Sequence, residues 1–366
     1  MYSFFSQHPE LSTSLQGKYK ASPGFQNLYQ SKKKDLPGIR FAQLLSLLAQ
    51  KNPEIRIRFT SPHPKDFPEE VIDVIANHHN VCSSIHLPIQ SGSTSVLERM
   101  RRGYSREAYL SLVQQMKEKI PNLTLSTDII AGFCDESEDE HQETIKVIRE
   151  VEYDQAFMFA YSKREKTHAY YNYQDNITDE IKQRRLEEII ATFRQVASTK
   201  NHAVEHGKYQ VVLVEEEATK STKENITLTG RTDGNKRVVF PGNDIPSFTF
   251  EDLKALYLKY QQDEQHQSDS TNSMKSMNDP LDLSELLFGD INRWSPELRE
   301  QLLIKGYPSL HKFPSEMNLI PRDKLIGEYV VVKILKALGV IRAVPVAKTT
   351  LVDMAKFSEF LNSFEK

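Results

Sequence analysis

Apolar residues recur along the chain at helical spacing in some stretches and at strand spacing in others. The helical stretches are residues 41–48, 71–75, 108–116, 145–151 and 186–196. Strand-like stretches are residues 55–60, 83–87, 124–133 and 155–161. Ser105, Ser137 and Thr178 stand where helix N-caps are expected. The pattern therefore predicts strands and helices in alternation, joined by short connections.

This alternation favours a parallel sheet covered by helices, closed wholly or partly into a barrel. Parallel barrels and partial barrels have about six to eight strands. Four predicted strands fall short of that, so we expect the front of the barrel to be missing. The strand at residues 55–60 would then keep an open edge, which predicts association or poor solubility of the chain.

The second half of the chain has another character. Short strands with turn residues between them are predicted at residues 209–215, 226–230, 237–240, 327–335 and 340–347. Five such strands suit a small antiparallel barrel of the OB type. Residues 246–325 interrupt this barrel. The polar stretch at 261–280 within them is predicted to be disordered.

The predicted organisation of the chain has seven parts. They are a loop remnant (1–38), a partial barrel (39–170), a connecting helix (171–206), the first part of the small barrel (207–245), a partly disordered insertion (246–325), the second part of the small barrel (326–350) and a C-terminal tail (351–366).

Composition narrows the class of partner. The net charge of the 366 residues is −3, so an RNA contact requires a local basic patch. Two cysteines do not make a disulfide scaffold and fit a reducing compartment. No apolar run reaches the roughly 18 residues that span a bilayer, so no membrane partner is expected.

Polar residues follow each predicted strand, at the edge where parallel barrels carry their reactive groups. They are Thr60, Ser61 and His63, then Gln90, Ser91 and Ser93, then Ser126 and Asp128, and finally Ser162 and Arg164. Ser126 and Asp128 share one strand face, and a carboxylate there is expected to have a partner. Arg164 could hold a carboxylate in a bidentate fork. Loop caps and surface polar groups are the competing interpretation.

Two basic groups are candidates for contact with phosphates. Arg99, Arg101 and Arg102 lie in a stretch with four arginines and one acid, which is equally consistent with a solvated helix end. Arg231 and Lys236 are the candidates in the small barrel, although the six basic and six acidic residues of 207–244 balance, so charge alone does not indicate an RNA binder there.

Several segments together resemble the radical S-adenosylmethionine (SAM) tRNA methylthiotransferases, most nearly their eukaryotic mitochondrial branch, which is associated with a kinase regulatory subunit. The segments are RIRFTSPHPKDFP (56–68), HLPIQSGSTSVLERMRRGYSREAY (86–109), STDIIAGF (126–133), FMFAYSKREKT (157–167), RRLEEI (184–189), and LVEEEATK with GRTDGNKRVVFPG (213–242). The wording GFC at 132–134 supports the eukaryotic branch.

The resemblance implies a fold and a chemistry. It implies a first domain with one iron–sulfur cluster, a radical-SAM barrel with a second [4Fe–4S] cluster on a CxxxCxxC loop, and a C-terminal TRAM domain that grips tRNA. One SAM would serve as radical source and a second as methyl donor, giving 2-methylthio derivatives of isopentenyladenosine beside the anticodon. The implied SAM pocket comprises Gln90, Ser91, Ser93, Ser126, Asp128 and Arg164.

The resemblance also implies partners and a compartment. The partners are the tRNA anticodon loop and a kinase regulatory subunit. The compartment is the mitochondrion, with cytoplasm and nucleus left open.

This chain departs from the family pattern in its cysteines. Cys82 and Cys134 are 52 positions apart, whereas a [4Fe–4S] cluster needs three thiolates close together. We therefore expect no cluster ligand here, and a truncated, inactive methylthiotransferase arising by true loss, splicing or a faulty gene prediction. The alternative is a non-catalytic module that binds tRNA or a protein. Asp135 replaces the family's usual glycine, and the insertion splits the TRAM domain.

Overall fold

A computed structural model describes residues 22–25, 39–60, 62–222, 225–242, 244–252, 254–255, 258, 319–337 and 341–362. The chain divides into two compact units, Met1–Lys200 and Asn201–Lys366. None of the helices in these ranges is long and apolar enough to cross a bilayer.

The first unit alternates helices with parallel strands, as the spacing of apolar residues predicts. Its elements are α1 (Phe41–Lys51), α2 (Glu69–Asn77), β1 (Ser84–His86), α3 (Thr94–Arg99), α4 (Arg106–Lys119), β2 (Thr124–Ala131), α5 (Glu138–Val151), β3 (Gln155–Ala160), α6 (His168–Asn172) and α7 (Asp179–Glu205). The strands pair in parallel in the order β1-β2-β3. Helices α3 and α6 were not predicted from the sequence.

The predicted caps define where three helices begin. The Ser105 hydroxyl accepts a hydrogen bond from the Ala108 N–H at 3.2 Å. Ser137 accepts one from the Glu140 N–H, and the Glu140 carboxylate accepts one from the Ser137 N–H, which completes a capping box. The Thr178 hydroxyl lies 3.4 Å from the Ile181 N–H at the start of α7.

One face of the sheet forms the core, and the other face is open. Along β2, buried and half-buried residues alternate, with Leu125 and Ile129 on the buried side. Along β3, Phe157 and Phe159 are 45% and 54% exposed, although the strand is almost wholly apolar. A functional surface on this sheet must therefore lie on the side of Phe157.

The prediction of a strand at 55–60 is wrong. Ile57 makes an isolated parallel bridge to Val81, and no longer ladder forms there among the described residues. The reason is local, because the Asn80 side-chain amide donates to the Ile55 carbonyl at 3.2 Å, as well as to two carbonyls near the end of α1. A side chain thus takes the carbonyl that a ladder would use.

The second unit contains a closed five-stranded barrel, as predicted. Its elements are β4 (Tyr209–Glu217), β5 (Thr227–Arg231), β6 (Arg237–Pro241), β7 (Ile245–Pro246), β8 (Leu319–Ile320), β9 (Tyr329–Lys336), β10 (Ile341–Thr349) and α8 (Leu351–Asn362). The barrel order is β10-β6-β5-β4-β9. The sequence predicts an antiparallel barrel, but the β10–β6 pair is parallel, so this part of the prediction is wrong.

Two further features of this unit bear on its predicted tail and insertion. Residues 351–362, predicted as a tail, form α8 after Thr350, whose hydroxyl accepts from the Asp353 N–H. The two ends of the predicted insertion meet, because β7 pairs with β8. The polar stretch at 261–280, Ser61 and most of the predicted loop at 1–38 lie outside the described residues.

Candidate cofactor-binding site

The segment after β1 continues along β2 and then bends sharply at Gln90. The Leu87 N–H donates to the Ser126 carbonyl at 2.7 Å, and the Gln90 N–H donates to the Asp128 carbonyl at 2.9 Å. Gln90 adopts a left-handed conformation with φ 72°, which costs a non-glycine residue about 1 kcal/mol. Such strain at the carboxyl edge of a parallel sheet is typical of a functional turn.

The Ser91-Gly92-Ser93 loop is packed onto helix α5. The Gly92 N–H donates to the Thr144 hydroxyl at 2.9 Å, and the Ser91 hydroxyl accepts from the Ser93 N–H at 3.2 Å. Ser91 and Ser93 are 0% and 2% exposed. These hydroxyls therefore fix the loop from inside, and a bound ligand would meet the backbone of the loop more readily than its serine side chains.

The open face of the sheet brings the predicted Ser126 and Asp128 together with a residue that the sequence reasoning missed. His86 pairs with Ser126 in register, and its Nδ1 lies 2.9 Å from the Ser126 hydroxyl. Its Nε2 lies 3.4 Å from an Asp128 carboxylate oxygen. This confirms the expected partner for Asp128. Alternation along β1 puts His86 opposite the buried Ile85, which is the signal that could have found it.

The hydrogen bonds among Ser126, His86 and Asp128 have a preferred direction. A carboxylate only accepts, so an imidazole proton on Nε2 suits Asp128, and Nδ1 then accepts from the Ser126 hydroxyl. Phe157 is the register partner of Asp128 on β3, and its ring centroid lies 5.9 Å from that of His86. The face thus offers a carboxylate beside a half-exposed aromatic ring, which suits a cationic organic ligand.

Arg164 lies in the loop after β3, and its side chain is exposed. Its carbonyl accepts a hydrogen bond from the Thr167 hydroxyl at 2.7 Å, which shapes the loop. Within the described residues its guanidinium has no ion pair, so it is available to a ligand but is not joined to Ser126 or Asp128.

Comparison with known proteins shows which families the chain is similar to. The Radical SAM superfamily matches residues 15–148. The chain is 48% identical over 250 residues to the rat protein named mitochondrial tRNA methylthiotransferase CDK5RAP1, covering 68% of this chain and 42% of that protein. It is 45% identical over 217 residues to the tRNA-2-methylthio-N(6)-dimethylallyladenosine synthase of Chloroherpeton thalassium, covering 59% and 47%. The predicted family resemblance is confirmed.

The predicted fold class, a radical-SAM α/β fold with a small closed β-barrel, is confirmed as well. The chain spans less than half the length of these methylthiotransferases. The human CDK5RAP1 relative is 51% identical over 220 residues, which are 60% of this chain and 35% of that protein.

The loop after β2 contains Asp135, the residue expected from the sequence to replace a glycine. Asp135 has φ 59°, a conformation natural to glycine and accessible to aspartate. Its N–H donates to the Asn176 side chain at 3.0 Å, and the Asn176 amide donates back to its carboxylate at 2.6 Å. The reciprocal pair offsets the conformational cost.

Behind this loop lies a buried ion pair. The Arg185 guanidinium donates to the Glu136 carboxylate at 3.0 Å, and both side chains are 5% exposed or less. Burial raises the pKa of Glu136, although the Gly132 N–H and Arg185 favour its charged form. The pair ties α7 to the end of β2.

Most of the predicted phosphate contacts are already paired with acids. Arg99 holds both carboxylate oxygens of Glu140, at 3.0 and 2.8 Å. In the small barrel, Arg231 lies 3.4 Å from a Glu215 oxygen and Lys236 lies 2.8 Å from a Glu205 oxygen. Arg101 and Arg102 have no ion pair within the described residues. Of the five candidates, these two keep the most charge available to RNA.

The two cysteines of this chain are too few to hold an iron–sulfur cluster by themselves. Both cysteines, Cys82 and Cys134, are buried, and two thiolates are fewer than the three that the family's cluster requires.

One other group within the described ranges could approach a metal ion. Ligand atoms of Glu138, His141 and Glu188 lie within 4.8 Å of one another. However, Arg184 and Arg185 hold Glu138 at 2.6 and 3.2 Å. The hydrogen bond from Arg184 leads in lowering the pKa of Glu138 to about 2. Guanidinium groups already supply the positive charge there, so we assign no metal.

Proposed function

We propose that this chain supplies the SAM-binding sheet and an RNA-binding β-barrel of a tRNA methylthiotransferase, which adds a 2-methylthio group to isopentenyladenosine beside the anticodon. The observation that carries the proposal is the open face of His86, Ser126, Asp128 and Phe157, within a chain 48% identical over 250 residues to a mitochondrial tRNA methylthiotransferase. The small closed barrel is proposed to act as the TRAM domain.

The residues of the open face suit the ends of SAM. Asp128 would accept hydrogen bonds from the amino group, and Arg164 would hold the carboxylate in a bidentate fork. Phe157 would contact the sulfonium or adenine end, because aromatic faces attract cations and stack on bases. His86 would keep Asp128 oriented. SAM, when bound, would supply the methyl group that the proposed product carries.

Binding of SAM to the full chain tests this proposal directly. Isothermal titration calorimetry should give binding by the wild type and at least about tenfold weaker binding by Asp128→Asn, because a charge-assisted contact to a cation is lost. The matched control is Asp179→Asn, which removes a 96% exposed carboxylate on α7 and should bind normally. Equal affinity of Asp128→Asn and wild type, or no binding by wild type, would contradict the proposal.

The two buried cysteines favour a second candidate, a non-catalytic module that binds tRNA or a protein such as a kinase regulatory subunit. Iron and sulfide analysis after anaerobic reconstitution separates the two. A stoichiometric cluster with formation of 5′-deoxyadenosine would support an enzyme. RNA or protein binding without either would support the module.

Mitochondrial location is proposed because the rat and human relatives are named as mitochondrial enzymes. Fractionation of cells that express the tagged protein, with cytosolic and nuclear markers as references, tests it.

A further inference from the structure

Two adjacent tyrosines project from the segment that follows β3. Residues 161–173, called here the tyrosine segment, contain the short helix α6. Tyr170 and Tyr171 are 42% and 71% exposed, and their ring centroids lie 5.3 Å apart in an edge-to-face arrangement. An aromatic side chain can bury about 150–250 Å², so displaying two together forgoes a considerable stabilisation.

The opposite side of the tyrosine segment is anchored. Ala169 and Tyr173 pack against the small buried cluster of Val96, Phe133 and Cys134. The Thr167 hydroxyl caps α6 by accepting from the Tyr170 N–H at 3.2 Å. The two exposed rings therefore stand on a turn that is fixed from below, and the fold does not use them as core.

Basic side chains surround the rings. Lys163 lies 5.3 Å from the Tyr170 ring centroid and donates to the Tyr173 carbonyl at 2.9 Å. Arg164 and Lys166 are exposed, and Glu165 is the one acid between residues 161 and 173. Positive charge beside stacking surfaces is the combination that binds single-stranded nucleic acid, since cations contact phosphates while bases stack on rings.

We propose that the tyrosine segment is a docking surface for unpaired RNA, with a base stacked on Tyr171 or Tyr170 and a phosphate against Lys166. This rests on the proposed function and adds to it a surface of the first unit, next in sequence to the strand that carries Phe157. An unpaired anticodon loop presents splayed bases that duplex RNA does not. The surface would therefore hold unpaired nucleotides of the anticodon loop that flank the one to be modified.

Fluorescence anisotropy with the full chain tests the surface. The probes are a fluorescein-labelled anticodon stem-loop RNA and the same stem closed as a duplex without a loop. Tyr171→Ala and the double change Tyr170→Ala with Tyr171→Ala should weaken stem-loop binding by roughly 5- to 100-fold, the range for loss of base stacking. Tyr171→Phe, which keeps the ring, should bind as wild type.

Salt dependence separates the phosphate contact from stacking. Lys166→Gln should reduce the slope of log affinity against log salt concentration by about 0.7, the value for one phosphate contact on a single strand. The tyrosine changes should leave that slope unaltered. Thermal unfolding should be unchanged in all variants, because the altered side chains are exposed.

The outcomes distinguish this surface from the wider proposal. If the wild type binds the stem-loop and the double alanine variant binds it equally well, the docking surface is refuted while the proposed function stands. If the wild type binds no RNA, both fail. Self-association that disappears in the double alanine variant, without any change in RNA affinity, would identify a second copy of the chain as the occupant and overturn the inference.

Discussion

Replacing Gly92 with alanine should destabilise the first unit because the added methyl group would collide with the backbone of α5. Gly92 has no positive φ, but a Cβ there would lie 2.6 Å from both the Glu143 carbonyl oxygen and the Thr144 Cα. That is 0.8 Å inside the 3.4 Å at which ordinary contacts of a Cβ begin. Both obstructing atoms belong to the backbone of α5 and cannot rotate away, so the loop itself must retreat.

The retreat has a calculable cost. Moving the loop outward by that amount stretches the 2.9 Å hydrogen bond from the Gly92 N–H to the Thr144 hydroxyl beyond bonding distance. An unpaired buried N–H costs about 1–3 kcal/mol. Overpacking adds about 1–3 kcal/mol. We expect the free energy of unfolding to fall by roughly 2–6 kcal/mol in total.

Urea unfolding followed by circular dichroism measures this change, with two variants of Thr144 as controls. Thr144→Val removes the hydroxyl and should cost about 1–3 kcal/mol, whereas Thr144→Ser keeps it and should cost less. The double variant Gly92→Ala with Thr144→Val should cost less than the sum of the two single variants, because each single variant already loses the same hydrogen bond. A stability of Gly92→Ala within about 0.5 kcal/mol of wild type would refute the close approach of loop and helix.

Two further predictions test ion pairs. Arg185→Met leaves the buried Glu136 without its partner and should lower the free energy of unfolding by about 3–5 kcal/mol. Arg184→Met, at a 52% exposed neighbour, should cost about 1 kcal/mol or less, and equal losses in urea unfolding would contradict the assignment. For Glu140, burial alone would raise the pKa, but hydrogen bonds led by Arg99 lower it to about 2. Its stabilisation is therefore complete above about pH 4.5 and is lost as the pH falls toward 2, so the deficit of Glu140→Gln in urea unfolding should shrink at low pH. A deficit of constant size between pH 7 and about pH 3.5 would show that the charge is not responsible.

The sequence predicts helices and strands well wherever local chemistry specifies them. Ser105 and Ser137 indicate where helices begin because each capping hydroxyl accepts a hydrogen bond from a backbone N–H only three residues away. Alternation along β1 could have placed His86 on the open face, but its contact with Asp128 depends on the register between two parallel strands, which the sequence does not give. The strand expected at 55–60 failed because Asn80, distant in sequence, takes a carbonyl that pairing needs.

Charge shows the same limit at the candidate RNA contacts. Counting residues marks Arg99, Arg231 and Lys236 as basic, yet each lies against a carboxylate brought close by folding. Local composition cannot reveal a partner that is 41 residues away, as Glu140 is from Arg99. A basic side chain that already pairs with a carboxylate should not be counted as a phosphate contact, and only the structure identifies such pairs.

The loops at the carboxyl edge of the sheet are held by the helices behind them more than by the strands they follow. Gly92 lies against the backbone of α5, and Gly132, with φ 74°, lies where a Cβ would be 2.5 Å from the Lys182 side chain on α7. Asp135, by contrast, needs only a left-handed backbone, which its bond to Asn176 supports. Residue 135 can therefore carry a side chain, whereas at residue 92 the contact with helix backbone leaves no room for one. Helices α5 and α7 thus approach these two loops closely, and a substitution that widens either approach should disturb the loops before it unfolds the sheet.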